Sequence, residues 1–224
     1  AFPPDLQILL ELAEAALQFG KCDESEIIDL IRAWWDARPV KALLPFLLAC
    51  VELLDRLGTE GQSENLWILA GEFVRGDPEV LSPGERLLWR QIGERIGYDT
   101  ATLDEYVPLP ADVAATDPIR QATFKKVAIV SLREKQTQEA ARLLAERTDG
   151  EILVVSETHP GGQTKSALTA QVILFVWSAT THAVFRAFDS IDKKRIAYVQ
   201  GTGAASIVLA LERWIRQQGD TGAT

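Results

Sequence analysis

The sequence predicts an α/β protein in two parts. An all-α helical domain is expected over residues 1–103, a linker over 104–123, a small four-stranded parallel Rossmann-like or flavodoxin-like domain over 124–218, and a tail over 219–224. Three observations lead there. Apolar residues recur at helical spacing between caps and breakers through the first half, and short runs of β-branched residues alternate with helical segments in the second. The stretch between them is polar, proline-punctuated and aperiodic.

The elements follow in chain order. Leu6, Leu9, Leu10, Ala13 and Leu17 share one face of a helix from Asp5 to Phe19, bounded by Pro3-Pro4 and Gly20. An Asp23/Ser25 cap opens a second helix through Ile27, Ile28, Ile31, Trp34 and Trp35, which stops at Arg38-Pro39. Adjacent Trp34 and Trp35 cannot face the same side, so one of them is a candidate for an exposed apolar patch. A third helix covers Val40 to Leu57, where Pro45 calls for a kink or a late start. Ser63 to Val74 is a fourth, closed by Gly76-Asp77-Pro78. Ser82-Pro83-Gly84-Glu85 is a capping box with proline at the first helical position, opening a fifth helix that runs to Gly97. Neither Trp nor Gly recurs at a fixed period near those of helical repeats, so no repeat array is expected.

Tyr106 to Ala111 and Asp117-Pro118 mark the linker. Beyond it come a strand from Lys126 to Leu132, a helix from Glu134 to Arg147, a strand from Glu151 to Ser156, and a glycine-rich loop or short helix. A strand from Val172 to Trp177, a helix from Thr181 to Asp189, a strand from Arg195 to Val199, a Gly201-Thr202-Gly203 turn and a helix to Gln218 complete the chain. Continuous apolar strands separated by helices are those of a parallel sheet covered on both faces.

Composition excludes several classes. At 47% hydrophobic and 25% charged the chain is that of a folded globular protein. Its longest apolar stretch, Val40 to Leu54, contains Lys41 and Glu52 and falls short of the roughly 20 residues of a membrane span. Ala1 to Leu12 has no positive segment ahead of an apolar one, so no secretory signal and a cytoplasmic location are expected. Cys22 and Cys50 lack CxxC spacing and read as two free thiols. Residues 1–110 carry 9 Lys+Arg against 20 Asp+Glu, while residues 111–224 carry 14 against 12. The acidic first half repels a phosphate backbone. Any nucleic-acid contact therefore falls to Arg133, Lys165, Lys193, Lys194 and Arg195, a set that reads equally as a solvated face.

In an open parallel sheet, ligands bind beyond the carboxyl ends of the strands. The residues that the predicted strand order places there, and hence the ligand-binding candidates, are Ser131, His159, Ser178, Thr181, His182, Gly201, Thr202, Gly203 and Ser206, which include both histidines of the chain. Gly161-Gly162-Gln163-Thr164-Lys165-Ser166 ends like a phosphate-binding loop, but Thr164 stands where that motif requires glycine. Gly201-Thr202-Gly203 at the start of the last helix suits either an anion site or a plain strand-to-helix turn. Ser178 and His182 supply a hydroxyl and an imidazole with no carboxylate placed to orient them, so no catalytic residue is assigned. No metal and no cofactor is expected from two histidines and two distant cysteines.

The course KVAIVS, helix, GEILVVS, glycine-rich loop, QVILFVWSATTHAVFRAF, KRIAYVQGTGAASIVLAL over residues 124–218 resembles the bacterial family catalogued as domain of unknown function 2325. The positions that carry the resemblance are Ser178 with His182, and Gly201-Thr202-Gly203 with Ser206. It implies a Rossmann-like fold and a bacterial origin, and it assigns no reaction. From the charge asymmetry and the incomplete catalytic sets, the expected function is that of a non-catalytic adaptor or regulatory subunit of a multiprotein complex. Its helical half would dock a protein partner and its α/β half would bind a small anionic ligand or protein. The alternatives are a nucleotide or phosphometabolite sensor or enzyme, and a nucleic-acid contact by the α/β half.

Overall fold

A computed structural model of the chain describes residues 12, 13, 15, 16, 23–37, 43–57, 61–109, 113–199, 201 and 203–221. Most of the helix expected from Asp5 to Phe19, together with Cys22 and Thr202, lies outside the described residues. The chain divides into two compact units, Ala1–Val113 and Ala114–Thr224.

The first unit is helical: α1 Glu24–Ala37, α2 Leu44–Leu57, α3 Gln62–Gly76, α4 Pro83–Arg95 and α5 Thr100–Tyr106. Asp23 caps α1 by accepting from the Glu26 N–H at 2.9 Å. Pro45 lies in the first turn of α2, where proline is tolerated, and residues 40–42 of the expected helix lie outside the described residues. The capping box of α4 forms as its sequence dictates, with Ser82 accepting from Glu85 N–H and Glu85 accepting from Ser82 N–H. Helix α5 was not foreseen, because it is held by its Asp99 cap and has too few turns to show a period.

Trp67 is the centre of this unit. Its indole is fully buried, its N–H donates to the Trp89 carbonyl at 2.9 Å, and the rings of Trp89, Tyr98 and Tyr106 surround it. Gly93 makes this packing possible, since a β-carbon there would stand 2.5 Å from Leu103 Cδ2 and 2.8 Å from Trp67 Cζ2. Leu44, Leu47, Leu48, Val51 and Leu54 of α2 are buried, which accounts for the apolar stretch in the sequence. Among the described residues no helix is long and apolar enough to cross a membrane. Cys50 is free and buried, and burial pushes its thiol pKa far up, leaving it unreactive.

The second unit is a parallel sheet of β1 Lys126–Val130, β2 Glu151–Val155, β3 Val172–Phe175 and β4 Ile196–Tyr198, in the order β2-β1-β3-β4. Its helices are α6 Pro118–Gln121, α7 Glu134–Ala145, α8 Gly162–Ala167, α9 His182–Ala187 and α10 Ala204–Thr221. Alternate strand residues go to opposite faces. Ala128, Val130, Ile173, Phe175 and Ile196 form a core with Ala167, Val184 and Phe188 on the side of α8 and α9. On the opposite side α10 packs against α7, α6, β3 and β4. The α/β fold class read from the sequence is the one observed.

Within the stretch expected as a linker, Asp117 is wholly buried. It caps α6, accepts two bonds from Arg147 at 2.7 Å each, and shares that guanidinium with Glu212 of α10, also at 2.7 Å. Burial disfavours the charged guanidinium, and the two carboxylates more than offset this, leaving its pKa above the ordinary arginine value. The triad ties α6, the end of α7 and α10 together beneath the sheet.

Candidate functional site

All four strands run the same way, so the segments after Val130, Val155, Phe175 and Tyr198 share one edge. The strand order reverses between β1 and β3, the usual crevice position. Here the chain laces that position itself. Leu132 N–H donates to Ala179 O at 2.6 Å, and Val176 N–H to Val130 O at 3.0 Å. The Thr180 hydroxyl lies within reach of both Val130 O and Val176 O, at 3.3 and 2.9 Å. The predicted strand to Trp177 ends at Phe175, because a 3-10 turn over Trp177–Ala179 folds back toward β1 and makes these bonds.

Two of the candidate hydroxyls on this rim, those of Ser131 and Thr181, are already engaged. Ser131 is buried, and its side chain accepts from Arg133 N–H at 3.1 Å. Thr181 caps α9 by accepting from Val184 N–H, and it donates to Thr158 O at 2.7 Å, joining the β2 and β3 loops. His159, Ser178 and His182 are exposed. His159 Nδ1 lies 3.2 Å from the Thr158 hydroxyl, and His182 meets the Trp177 ring edge-on at 6.4 Å. Among the described residues no hydrogen bond joins Ser178 to His182. Gly201 has φ +97°, the left-handed region that favours glycine, and Gly203 leads into α10, where Ser206 is buried. Among the described residues no cluster of three or more His, Cys, Asp or Glu could hold a metal ion.

The basic candidates do not share an edge. Arg133 follows β1 at the carboxyl edge, and Lys165 is exposed on α8. Lys193, Lys194 and Arg195 precede β4 at the opposite, amino edge. The Arg195 guanidinium is engaged with the Leu168 and Ala170 carbonyls, and Lys193 Nζ sits 5.9 Å over the Phe185 ring.

The loop that resembles a phosphate cradle holds an anion of its own. The Glu157 carboxylate accepts from the Thr164 hydroxyl at 2.7 Å, from Thr164 N–H at 2.8 Å, and from Gly161 and Gln163 N–H at 3.0 and 3.1 Å. A β-carbon on Gly161 would collide with that carboxylate. The Thr164 donors foremost, then those of Gln163 and Gly161, hold Glu157 at about 2, against an ordinary 4.5. A depressed carboxylate pKa contributes stability that is complete above pH 4.5 and is lost as pH falls toward 2. Glu157→Gln is expected to flatten the melting temperature over that acid limb, and a limb of unchanged slope contradicts it.

Beside these polar groups the rim exposes large apolar side chains. Leu132, Trp177 and Tyr198, at the ends of β1, β3 and β4, are 39%, 50% and 48% exposed. Trp177 and Tyr198 are joined through the interior: Trp177 packs on Phe185 at 4.6 Å, Phe185 on Phe175 at 5.4 Å, and Phe175 on Tyr198 at 6.3 Å between ring centroids. Two hollows of this unit, of about 520 and 440 Å³, lie at the other edge, one lined by Gln171, Arg195 and Trp214, the other by Phe124, Thr148 and Gly150. Sequence reasoning ranked hydroxyls and imidazoles at the strand ends and passed over Leu132 and Tyr198. The available signal was a large apolar residue at a strand's carboxyl end, where side chains leave the covered sheet.

A family comparison matches the DpdD-like model over residues 2–210. The chain belongs to the DpdD-like family. This corrects the resemblance to domain of unknown function 2325: the DpdD-like match takes in the helical half as well as the sheet, whereas that resemblance covered residues 124–218 alone. Its Ser178, His182 and Gly201–Ser206 positions belong to strand-turn-helix junctions, which parallel sheets of unrelated families share. No curated protein and no solved structure matches the chain.

Proposed function

We propose that this DpdD-like protein is a non-catalytic adaptor or regulatory subunit, and that its α/β unit docks a protein partner through the carboxyl rim of the sheet. One observation carries this reading: where ligand-binding sheets gather polar groups, this one engages its Ser131 and Thr181 hydroxyls internally and exposes Leu132, Trp177 and Tyr198. Isolated apolar residues are ordinary on surfaces, but three at the ends of neighbouring strands make a patch. Tyrosine and tryptophan are the side chains that most often dominate binding energy at protein interfaces.

The test is affinity capture of the full chain from its native host, in parallel with Trp177→Ala/Tyr198→Ala. The partner's recovery is expected to fall at least about tenfold, the loss of 1.4 kcal/mol or more that truncating interface anchors produces. The double variant should remain folded with a lowered melting temperature, because half of each side chain is buried against Phe185 and Phe175, so recovery is compared at a temperature where both chains are folded. Equal recovery with both chains overturns the reading.

A further inference from the structure

We infer that the hollow of about 440 Å³ at the amino edge of the sheet binds a small monocarboxylic acid with an apolar body. The observation behind it concerns one atom of the buried triad. Arg147 turns one edge of its guanidinium, Nε and Nη2, to Asp117 and Glu212, which leaves Nη1 as the remaining corner. That nitrogen is buried and has no hydrogen-bond partner among the described residues. Buried donors are nearly always paired, and a charged one without an acceptor is among the costliest exceptions. Arg147 also lines the hollow, which is where an acceptor from outside the fold can approach it.

The rest of the lining selects the ligand. Arg120 borders the same hollow, 46% exposed, donating to Glu146 O at 3.3 Å and standing 3.7 Å from Asp117, so it can turn toward a ligand as a second cationic donor. Two guanidinium groups suit a carboxylate, whose oxygens accept charge-assisted bonds from both. The carboxylates of the lining limit the ligand's charge. Glu146 is paired with Arg142, whereas Asp149 is exposed and repels a second negative charge, which favours a monoanion over a phosphate dianion. Ala122 and Phe124 add an apolar wall, backed by Trp214 at 6.3 Å from Phe124 between ring centroids, so the body of the ligand is apolar. This site lies at the edge opposite the docking surface proposed above, and the two readings fail separately.

The experiment is a titration of the full chain with benzoate, benzamide and acetate, followed by thermal shift and by NMR of the arginine side-chain nitrogens, on the parent, on Arg120→Gln and on Thr123→Trp. Both substitutions fall at exposed positions of the hollow, so both variants should fold. Benzoate is expected to move the Arg147 Nη signals saturably and to raise the melting temperature. Benzamide should bind at least about tenfold more weakly, since a neutral amide forfeits the charge-assisted bonds. Acetate should also bind more weakly, because it leaves the apolar wall uncovered. Arg120→Gln should lose at least about tenfold in affinity for benzoate, and Thr123→Trp, which fills the hollow, should not bind it. The inference is overturned if the Arg147 Nη signals stay in place, if benzamide or acetate binds as tightly as benzoate, or if either variant binds as the parent does.

Discussion

Arg147→Ala is expected to destabilise the protein by about 3–5 kcal/mol, the loss usual when one partner of a buried ion pair is removed. The side chains of Arg147, Asp117 and Glu212 are each at most 1% exposed, so the substitution strands two carboxylates away from water. Partial relief is at hand, because Arg216 reaches Glu212 at 3.4 Å and Arg120 reaches Asp117 at 3.7 Å from more exposed positions. The loss should therefore sit toward the lower end of that range. A triple variant that neutralises all three, Arg147→Met with Asp117→Asn and Glu212→Gln, should recover most of it, because desolvation of the charges disappears with the charges. Urea unfolding followed by far-ultraviolet circular dichroism measures both. A triple variant no better than the single one would show that the triad acts through shape and not through charge.

Trp67→Ala should have an effect of similar size in the helical unit. Removing a fully buried tryptophan costs about 3–5 kcal/mol through lost transfer energy and the cavity left behind. It also deprives the buried Trp89 carbonyl of its donor. Trp67→Phe keeps much of the ring contact with Trp89, Tyr98 and Tyr106 and loses the hydrogen bond, so it should fall between parent and alanine variant. Denaturant midpoints of the three chains give the order, and a phenylalanine variant as unstable as the alanine one would assign the whole effect to the hydrogen bond.

The sheet was legible because KVAIV, EILVV and VILF are continuous apolar runs of strand length, and because helical segments separate them. The α4 cap was legible because Ser82 and Glu85 stand at the spacing that lets each satisfy the other's backbone donor. The short helices Thr100–Tyr106 and Pro118–Gln121 were not. Pro118–Gln121 owes its place to the Asp117 cap and a salt bridge to Arg147, thirty residues on, and pairing at that range leaves no local pattern. The same distinction divides the site. Parallel strands put the segments at 131, 158, 178 and 201 on one edge, as their order in the sequence implies. Which hydroxyls on that edge remain open is decided by tertiary bonds such as Thr181 to Thr158 O, and the glycine-rich loop could not announce that Glu157 fills it.

Amide hydrogen exchange, measured on the protein alone and again with its captured partner bound, tests the docking surface most directly. Slowed exchange confined to residues 131–133, 176–185 and 197–199 is the predicted outcome. Unchanged exchange there, with protection appearing only at the amino edge around Thr148 to Gly150 or Ala170 to Gln171, would contradict it.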